Sequence, residues 1–345
     1  MKLDEAVNRL KSGDYVPVIE EGVSPDGHTL RASLAKLARK LCEGVYGQKV
    51  FIRGLIEVSS YCKNNCLYCG LRASNLELPR YRLKKEEILN AATNGYKLGF
   101  RTVVLQGGED AYFSDAIVCE IIESIKSSHP DMAITLSLGE RSRESYFNLR
   151  KAGADRYLLR HETADKQHYE KLHPKEMSFE HRIKCLHDLR ELGYQVGCGF
   201  MVGSPGQTFE TIAKDLEFIS SFKPEMCGIG PFIPHHATPF ANYPAGSAEV
   251  TYFLLSIIRI IHPNVLLPAT TALSSLDQNA REKAFLAGAN VIMPNLSPLC
   301  VRSKYAIYDN KAHTGGESAE GLLELNRQID SLGLKIVVDR GDYCP

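Results

Sequence analysis

Apolar residues recur at helical spacing through the first fifty positions, at Leu3, Ala6, Val7 and Leu10 and again at Leu30, Leu34, Leu37 and Leu41, with the turn-forming SPDG between them. From residue 50 the pattern changes. Short β-branched or apolar runs, VFIRGLIEV, RTVVLQGG, MAITLSLG, RYLLRHE, VGCGFMVG, MCGIGPF, VLLPATTA and ANVIMPN, give eight candidate strands. Amphipathic stretches beginning near Glu86, Asp115, Arg143, Phe179, Thr208, Ala248 and Asn279 separate them, several ending in turns such as LGF, AGAD, LGY or AGAN. Eight strands alternating with helices predict an α/β protein built on a complete (β/α)8 TIM barrel, with an open doubly wound sheet as the alternative. The expected division is an N-terminal helical extension (1–49), the barrel (50–300) and a C-terminal extension (301–345) closing it. That extension holds a helix from about Ser318 to Leu332 and a short tail.

Strand parity bears on the barrel's interior. Arg53, Leu55 and Glu57 share a face of the first strand, and Arg156, Leu158, Arg160 and Glu162 a face of the fourth. Gly197, Gly199, Met201 and Gly203 share a face of the fifth strand, and Met226, Gly228 and Gly230 a face of the sixth. A packed barrel core is mostly branched and apolar. Charged groups facing missing side chains therefore point to a hollow, polar lumen that takes a ligand; structural ion pairs at the barrel ends and glycine bulges are the plainer alternative.

Charge narrows the partner classes. The 345 residues carry 41 basic and 41 acidic side chains, so no overall field draws nucleic acid or anionic membrane. The most apolar stretch, Tyr252 to Ala269, is interrupted by Arg259, His262, Pro263 and Asn264, and MKLDEAVNRLKSG lacks a signal-peptide apolar region; a cytoplasmic location is expected. Ten cysteines in such a chain direct attention to clustering rather than to disulfides.

One cluster stands out. After the first strand, Cys62, Cys66 and Cys69 form a C-x3-C-x2-C run in the loop SSYCKNNCLYCG. Three thiolates can wrap one soft metal centre, whereas a structural zinc or a fully ligated iron-sulfur cluster needs a fourth ligand, and no fourth cysteine is near in sequence. A zinc completed by a distant histidine, or three unrelated buried cysteines, are the ordinary alternatives. A 4Fe-4S cluster on three cysteines leaves one iron open. This motif, with an aromatic residue just before its last cysteine, resembles the signature of the radical S-adenosylmethionine (SAM) superfamily. There the open iron chelates SAM, and an electron from the cluster cleaves it to methionine and a 5'-deoxyadenosyl radical.

Further motifs narrow the resemblance. LQGGED (105–110), RYLLRHETAD, FEHRIKCL, MVGSPGQT, GIGPFIPHHATPF, LPATTA and GANVIMPN resemble, in order, those of HydE, the radical SAM maturase family of FeFe-hydrogenase. The likeness runs from about residue 50 to 300, and methylornithine synthase and biotin synthase share much of the scaffold. It implies one 4Fe-4S cluster on Cys62, Cys66 and Cys69, with SAM contacted by Tyr68, Gln106, Gly107, Gly108 and Ser137. It also implies that Glu162 binds the ribose hydroxyls, Arg182 the methionyl carboxylate, and the stretches at Met201 and at Phe232 and Ile233 the adenine. Arg160, Thr270, Thr271, Met226, Met293 and Tyr305 match the substrate cavity, with Arg53 as a helper.

The plainer readings are a lumen ion pair for Glu162, an exposed helix charge for Arg182 and core filler for the methionines. The substrate implied is a small cysteine-ligated iron complex with CO and cyanide ligands. The partners implied are the maturases HydG and HydF and an electron donor such as a ferredoxin. An aminomutase resembling methylornithine synthase, and an iron-sulfur scaffold without enzymatic activity, are the competing functions. His235 and His236 lie in a Pro-flanked loop and read as exposed or packing residues, and the other cysteines as small buried hydrophobes. Some family members carry an auxiliary cysteine site near the C-terminus; DNKAHTGGESAEG (309–321) has no cysteine, and Cys300 and Cys344 are too far apart in sequence to replace it.

Overall fold

The structure, a computed structural model, describes residues 1–312 and 317–345. The first strand is broken at Arg53 into β1 (Lys49–Ile52) and β2 (Gly54–Ser59). Then come β3 (Thr102–Gly107), β4 (Ala133–Ser137), β5 (Arg156–Leu158), β6 (Gln195–Cys198), β7 (Met201–Val202), β8 (Met226–Cys227), β9 (Gly230–Pro231), β10 (Val291–Ile292) and β11 (Lys335–Val337). β2, β3, β4, β5, β6 and β8 form one parallel sheet in that order. β7 and β9 continue β6 and β8 beyond Gly199 and Gly228, where a Cβ on Gly199 would lie 2.0 Å from the Gly228 carbonyl oxygen.

The seventh candidate strand forms isolated parallel bridges, Met226 with Leu266 and Pro268 with Val291, rather than a ladder. Pro268 has no N–H to donate, and the chain soon enters the helix Thr271–Leu276. β10 pairs with β1, so the parallel neighbour relations return to the strand on which they began. Helices Lys85–Lys97, Asp115–Ser128, Arg143–Ala152, Phe179–Glu191, Phe209–Phe222, Ala248–Ile261 and Ala280–Leu286 start within a residue or so of the expected positions.

The hydrophobic core is the shell between strands and helices. Outward residues such as Val103, Ile134, Leu136 and Val196 pack with Ile88, Ile121, Ile122, Leu149 and Leu186, all fully buried; each contributes ~1.5–3 kcal/mol by leaving water. The N-terminal extension, helices Leu3–Ser12, Val16–Val23 and His28–Tyr46, packs through the last of these against Ala248–Ile261.

At the other end the C-terminal helix is shorter than expected, Leu322–Ser331. It is followed by β11, which pairs in parallel with β1 and was not anticipated as a strand. The tail then crosses the barrel floor. Thr102 donates to the Arg340 carbonyl at 2.7 Å, buried Arg156 binds that carbonyl and Asp342 (2.9 and 2.6 Å), and Asn264 donates to the Cys344 carbonyl at 2.8 Å. Arg156 therefore serves the floor, while Arg53, Leu55, Glu57, Leu158, Arg160, Glu162, Met226, Gly228 and Gly230 line the lumen as parity predicts.

Candidate active site

The cysteine loop leaves the top of β2 and is fixed from three sides. Ser59 donates to Asp110 at 2.6 Å, and Arg82 grips both oxygens of the same carboxylate at 2.7 and 2.9 Å. Lys63 N–H donates to the Glu109 carbonyl, and Gly70 N–H to that of Ile307, both at 2.9 Å. Arg80 is the central staple: its guanidinium donates to the carbonyls of Ser60, Leu71, Arg72 and Asn75, and among the described residues it forms no ion pair. The glycines of LQGGED have a packing role besides the one the resemblance implies. A Cβ on Gly108 would lie 2.3 Å from the Tyr61 carbonyl oxygen and 2.6 Å from Cys62 Cβ, so the loop sits directly on this backbone.

Cys62, Cys66 and Cys69 all face one cavity of about 360 Å³. Burial pushes all three thiols upward, Cys69 to about 12; the charge of Cys62 would raise Cys66 and Cys69 further, and that of Cys69 would raise Cys66. Among the described residues the three sulfurs do not form a group within 4.8 Å of one another. Tetrahedral zinc with bonds of ~2.3 Å brings its sulfurs to about 3.8 Å apart, so the trio is not gathered to the spacing of a zinc shell. Three cysteines facing one cavity suit a cluster with one open iron.

Arg160, His161 and Glu162 follow β5 and carry the most strained backbone of the site. Glu162 has φ 65°, a left-handed conformation rare outside glycine. Its carboxylate is buried, and Oε2 has no hydrogen-bond partner although Arg160 Nη2 lies 3.3 Å away; Arg160 Nε and Nη2 are likewise buried and unbonded. Such groups are costly unless a ligand completes them.

His161 points outward and anchors the segment. Burial lowers its imidazole to about 3 and holds Asp215 well above the carboxylate range. Its Nδ1 accepts from Gly199 N–H at 3.2 Å, leaving a proton on Nε2, 3.3 Å from Asp215. Arg182, whose plainer reading in the sequence is an exposed helix charge, is buried: Nε meets Glu140 at 2.5 Å and Nη1 donates to the Arg160 carbonyl at 2.6 Å.

Every residue nominated for SAM or substrate lines the same cavity as the three cysteines. Tyr68 is held by His173 Nε2 at 3.2 Å and packs in a small apolar cluster with Met201 and Phe232. Phe232 N–H is committed to the Val202 carbonyl (2.8 Å) and Met201 N–H to that of Glu162 (3.4 Å), which leaves the main chain of Ile233 for a polar contact. Gln106 donates to the Tyr305 hydroxyl at 3.3 Å, Thr270 to the Ile229 carbonyl at 3.3 Å, and Thr271 to Glu317 at 2.9 Å. Ser137 ends β4 and Met293 follows β10. Deepest lies Arg53, 2.7 Å from Met226 sulfur.

Sequence reasoning passed over several lining residues. Thr135, two positions before Ser137, carries a buried hydroxyl with no partner and was reachable by parity. Lys311 was not: it comes from the C-terminal segment to pair with Glu57 at 2.6 Å. His235 is buried against Gly70, and His236 is exposed and bonded to Asp309 at 2.8 Å. Cys42, Cys185, Cys198 and Cys227 are buried as expected, Cys119 is only half-buried on its helix, and Cys300 and Cys344 are exposed. Of the segment 309–321, positions 313–316 lie outside the described residues. No helix among the described residues is long and apolar enough to cross a membrane.

Residues 56–219 match the Radical SAM superfamily. The chain is 41% identical over 332 residues to the [FeFe] hydrogenase maturase subunit HydE of Thermotoga maritima, spanning 96% of this chain and 94% of that one. It is 31% identical to a 3-methylornithine synthase of Methanosarcina acetivorans over 87% and 83% of the two chains. The crystal structure of methylornithine synthase (PylB) superposes with a TM-score of 0.84 at 25% identity, covering 96% and 97%. That of the FeFe-hydrogenase maturase HydG from Carboxydothermus hydrogenoformans does so with 0.71 at 23%, covering 85% and 70%, which is a likeness of fold.

Proposed function

The chain belongs to the HydE family of radical SAM enzymes, and from that premise we propose that it matures FeFe-hydrogenase by delivering an adenosyl radical to the sulfur of a cysteine-ligated iron complex bearing CO and cyanide. HydG supplies that complex in this reading, HydF receives the product, and a ferredoxin-type donor provides the electron in the cytoplasm. The observation carrying the proposal is the convergence, in one cavity, of three cysteines with the unbonded polar atoms of Arg160 and Glu162.

These residues fit the cofactors of the superfamily. Cys62, Cys66 and Cys69 would hold the 4Fe-4S cluster, whose bound form supplies the electron that splits SAM into methionine and the 5'-deoxyadenosyl radical. The orphaned Glu162 Oε2 suits a ribose diol, a donor pair that satisfies an otherwise unpaired buried carboxylate. Arg182, oriented by Glu140 and the Arg160 carbonyl, would bind the methionyl carboxylate. Tyr68, Met201 and Phe232 form an apolar bed for adenine, with Ile233 offering the main-chain contact.

Below them, Arg160 and Thr135 present unbonded donors, and Met226 and Met293 polarizable walls, to a compact, weakly hydrated complex with cyanide and carboxylate acceptors. The floor of tail residues excludes water from beneath. The test compares anaerobically reconstituted protein with Cys62→Ser, Cys66→Ser and Cys69→Ser variants. Native protein is expected to form 5'-deoxyadenosine and to support maturation with HydG and HydF. Cleavage retained in any of these variants refutes the cluster assignment, and native cleavage without maturation refutes the substrate.

A further inference from the structure

The lumen contains one fully buried carboxylate that is already occupied. Glu57 sits on β2 at the level of the substrate-lining residues, its Oε1 2.6 Å from Lys311 Nζ and its Oε2 2.8 Å from Asn295 Nδ2. Lys311 enters from outside the eight strands, its side chain 9% exposed, and its ammonium lies 5.3 Å over the ring of Tyr305. Glu57 and Lys311 both line the cavity. The unpaired charge there is on donors: Arg160 and Arg53 both carry unbonded buried nitrogens. Of the other lumen carboxylates, Glu162 faces Arg160, and Glu109 is paired with Lys63 at 3.2 Å.

From this arrangement we infer that Lys311 is a specificity-determining residue, an internal ammonium that fills the acceptor an alkylammonium substrate would need. The inference rests on the reading of this lumen as the substrate cavity. An incoming amino acid with a protonated side-chain amine meets guanidinium groups and a carboxylate whose oxygens are both taken. Its own charge is left desolvated and repelled, which is discrimination by a built-in unfavourable contact. A ligand with acceptor groups meets donors instead. A barrel of the fold shared with methylornithine synthase is thereby closed to amines by its lumen charges.

Removing Lys311 should open the site. In reconstituted holoenzyme with SAM bound, calorimetry with n-butylammonium and with L-lysine is expected to show no saturable binding to native protein. Lys311→Ala should bind n-butylammonium at least about tenfold more tightly than the native chain, because a buried carboxylate stripped of its partner recruits a replacement cation. The Glu57→Gln, Lys311→Ala double variant should lose that binding. Should Lys311→Ala not fold by itself, its recovery in n-butylammonium chloride but not in tetramethylammonium chloride is the supporting result, and absence of recovery overturns the inference. It is equally overturned if native protein binds either amine saturably, or if folded Lys311→Ala binds none. Failure of hydrogenase maturation by native protein would instead refute the function proposed above and leaves these binding outcomes readable.

Discussion

Replacing Arg80 with Gln should loosen the cysteine loop without unfolding the barrel. The native guanidinium donates to four carbonyls, of Ser60, Leu71, Arg72 and Asn75, which bracket the loop carrying Cys62, Cys66 and Cys69. Glutamine's shorter amide reaches at most two of them. At a net ~1 kcal/mol per bond, the four together hold the loop by about 4 kcal/mol, and losing two to four of them costs about 2–4 kcal/mol. The cost falls on local opening, because Arg80 binds loop carbonyls and no core strand. At 1.4 kcal/mol per factor of ten, the open population should rise by roughly 30- to 700-fold.

The assay is the modification rate of the three thiols in apoprotein by a thiol reagent, followed by mass spectrometry, with the unfolding midpoint measured in parallel. Accelerated modification of Cys62, Cys66 and Cys69, a nearly unchanged midpoint and lowered iron content after reconstitution are expected, with Arg80→Lys intermediate. Unchanged thiol reactivity and iron content in Arg80→Gln would refute the staple.

Other outcomes follow from the same geometry. Gly108→Ala places a Cβ against the Tyr61 carbonyl and should sharply reduce iron loading. Gly107→Ala, whose nearest neighbour would be a Val58 methyl at 3.3 Å, should reduce it much less; equal iron contents would contradict this. Because burial raises the three thiols, Cys69 to about 12, thiolate is scarce at neutral pH and cluster assembly must expel protons. The reconstitution rate should therefore climb steadily from pH 7 to 9, and a plateau below pH 8 would count against it.

Asp342, although burial opposes it, is held down to about 2 by Arg340, Arg156 and Gln195. A depressed carboxylate stabilises the fold above its ordinary value near 3.8 and loses that contribution as pH falls toward 2. The protection of tail amides against hydrogen exchange, corrected for the pH dependence of the intrinsic rate, should thus fall over that window in native protein and vary less in Asp342→Asn. His161→Leu should raise the KM for SAM more than it lowers kcat, since the imidazole anchors the strained Glu162 segment; an unchanged KM would deny it that role.

Much of the site was readable because local chemistry announced it. Three cysteines within eight residues, placed after a strand, need no tertiary information to be singled out as a candidate metal-binding loop. Period-two alternation told which of Arg53, Glu57, Arg160 and Glu162 share a face, since side chains on a strand must alternate. The seventh strand was over-read, because VLLP has a strand's composition while Pro268 withholds a ladder donor. β11 was missed because a short KIV edge segment resembles the end of any tail until β1 offers it a partner.

Three-dimensional structure alone decided what the charged residues do. Arg80 and Arg182 look in sequence like members of solvated runs, yet one staples four carbonyls and the other is buried against Glu140. Glu57 and Lys311 stand 254 residues apart. No periodicity links such a pair, because their meeting depends on barrel closure and on the path of the C-terminal segment. Local sequence determined which groups exist and which way the strands turn them; long-range packing determined which charges cancel, and so what the cavity can accept.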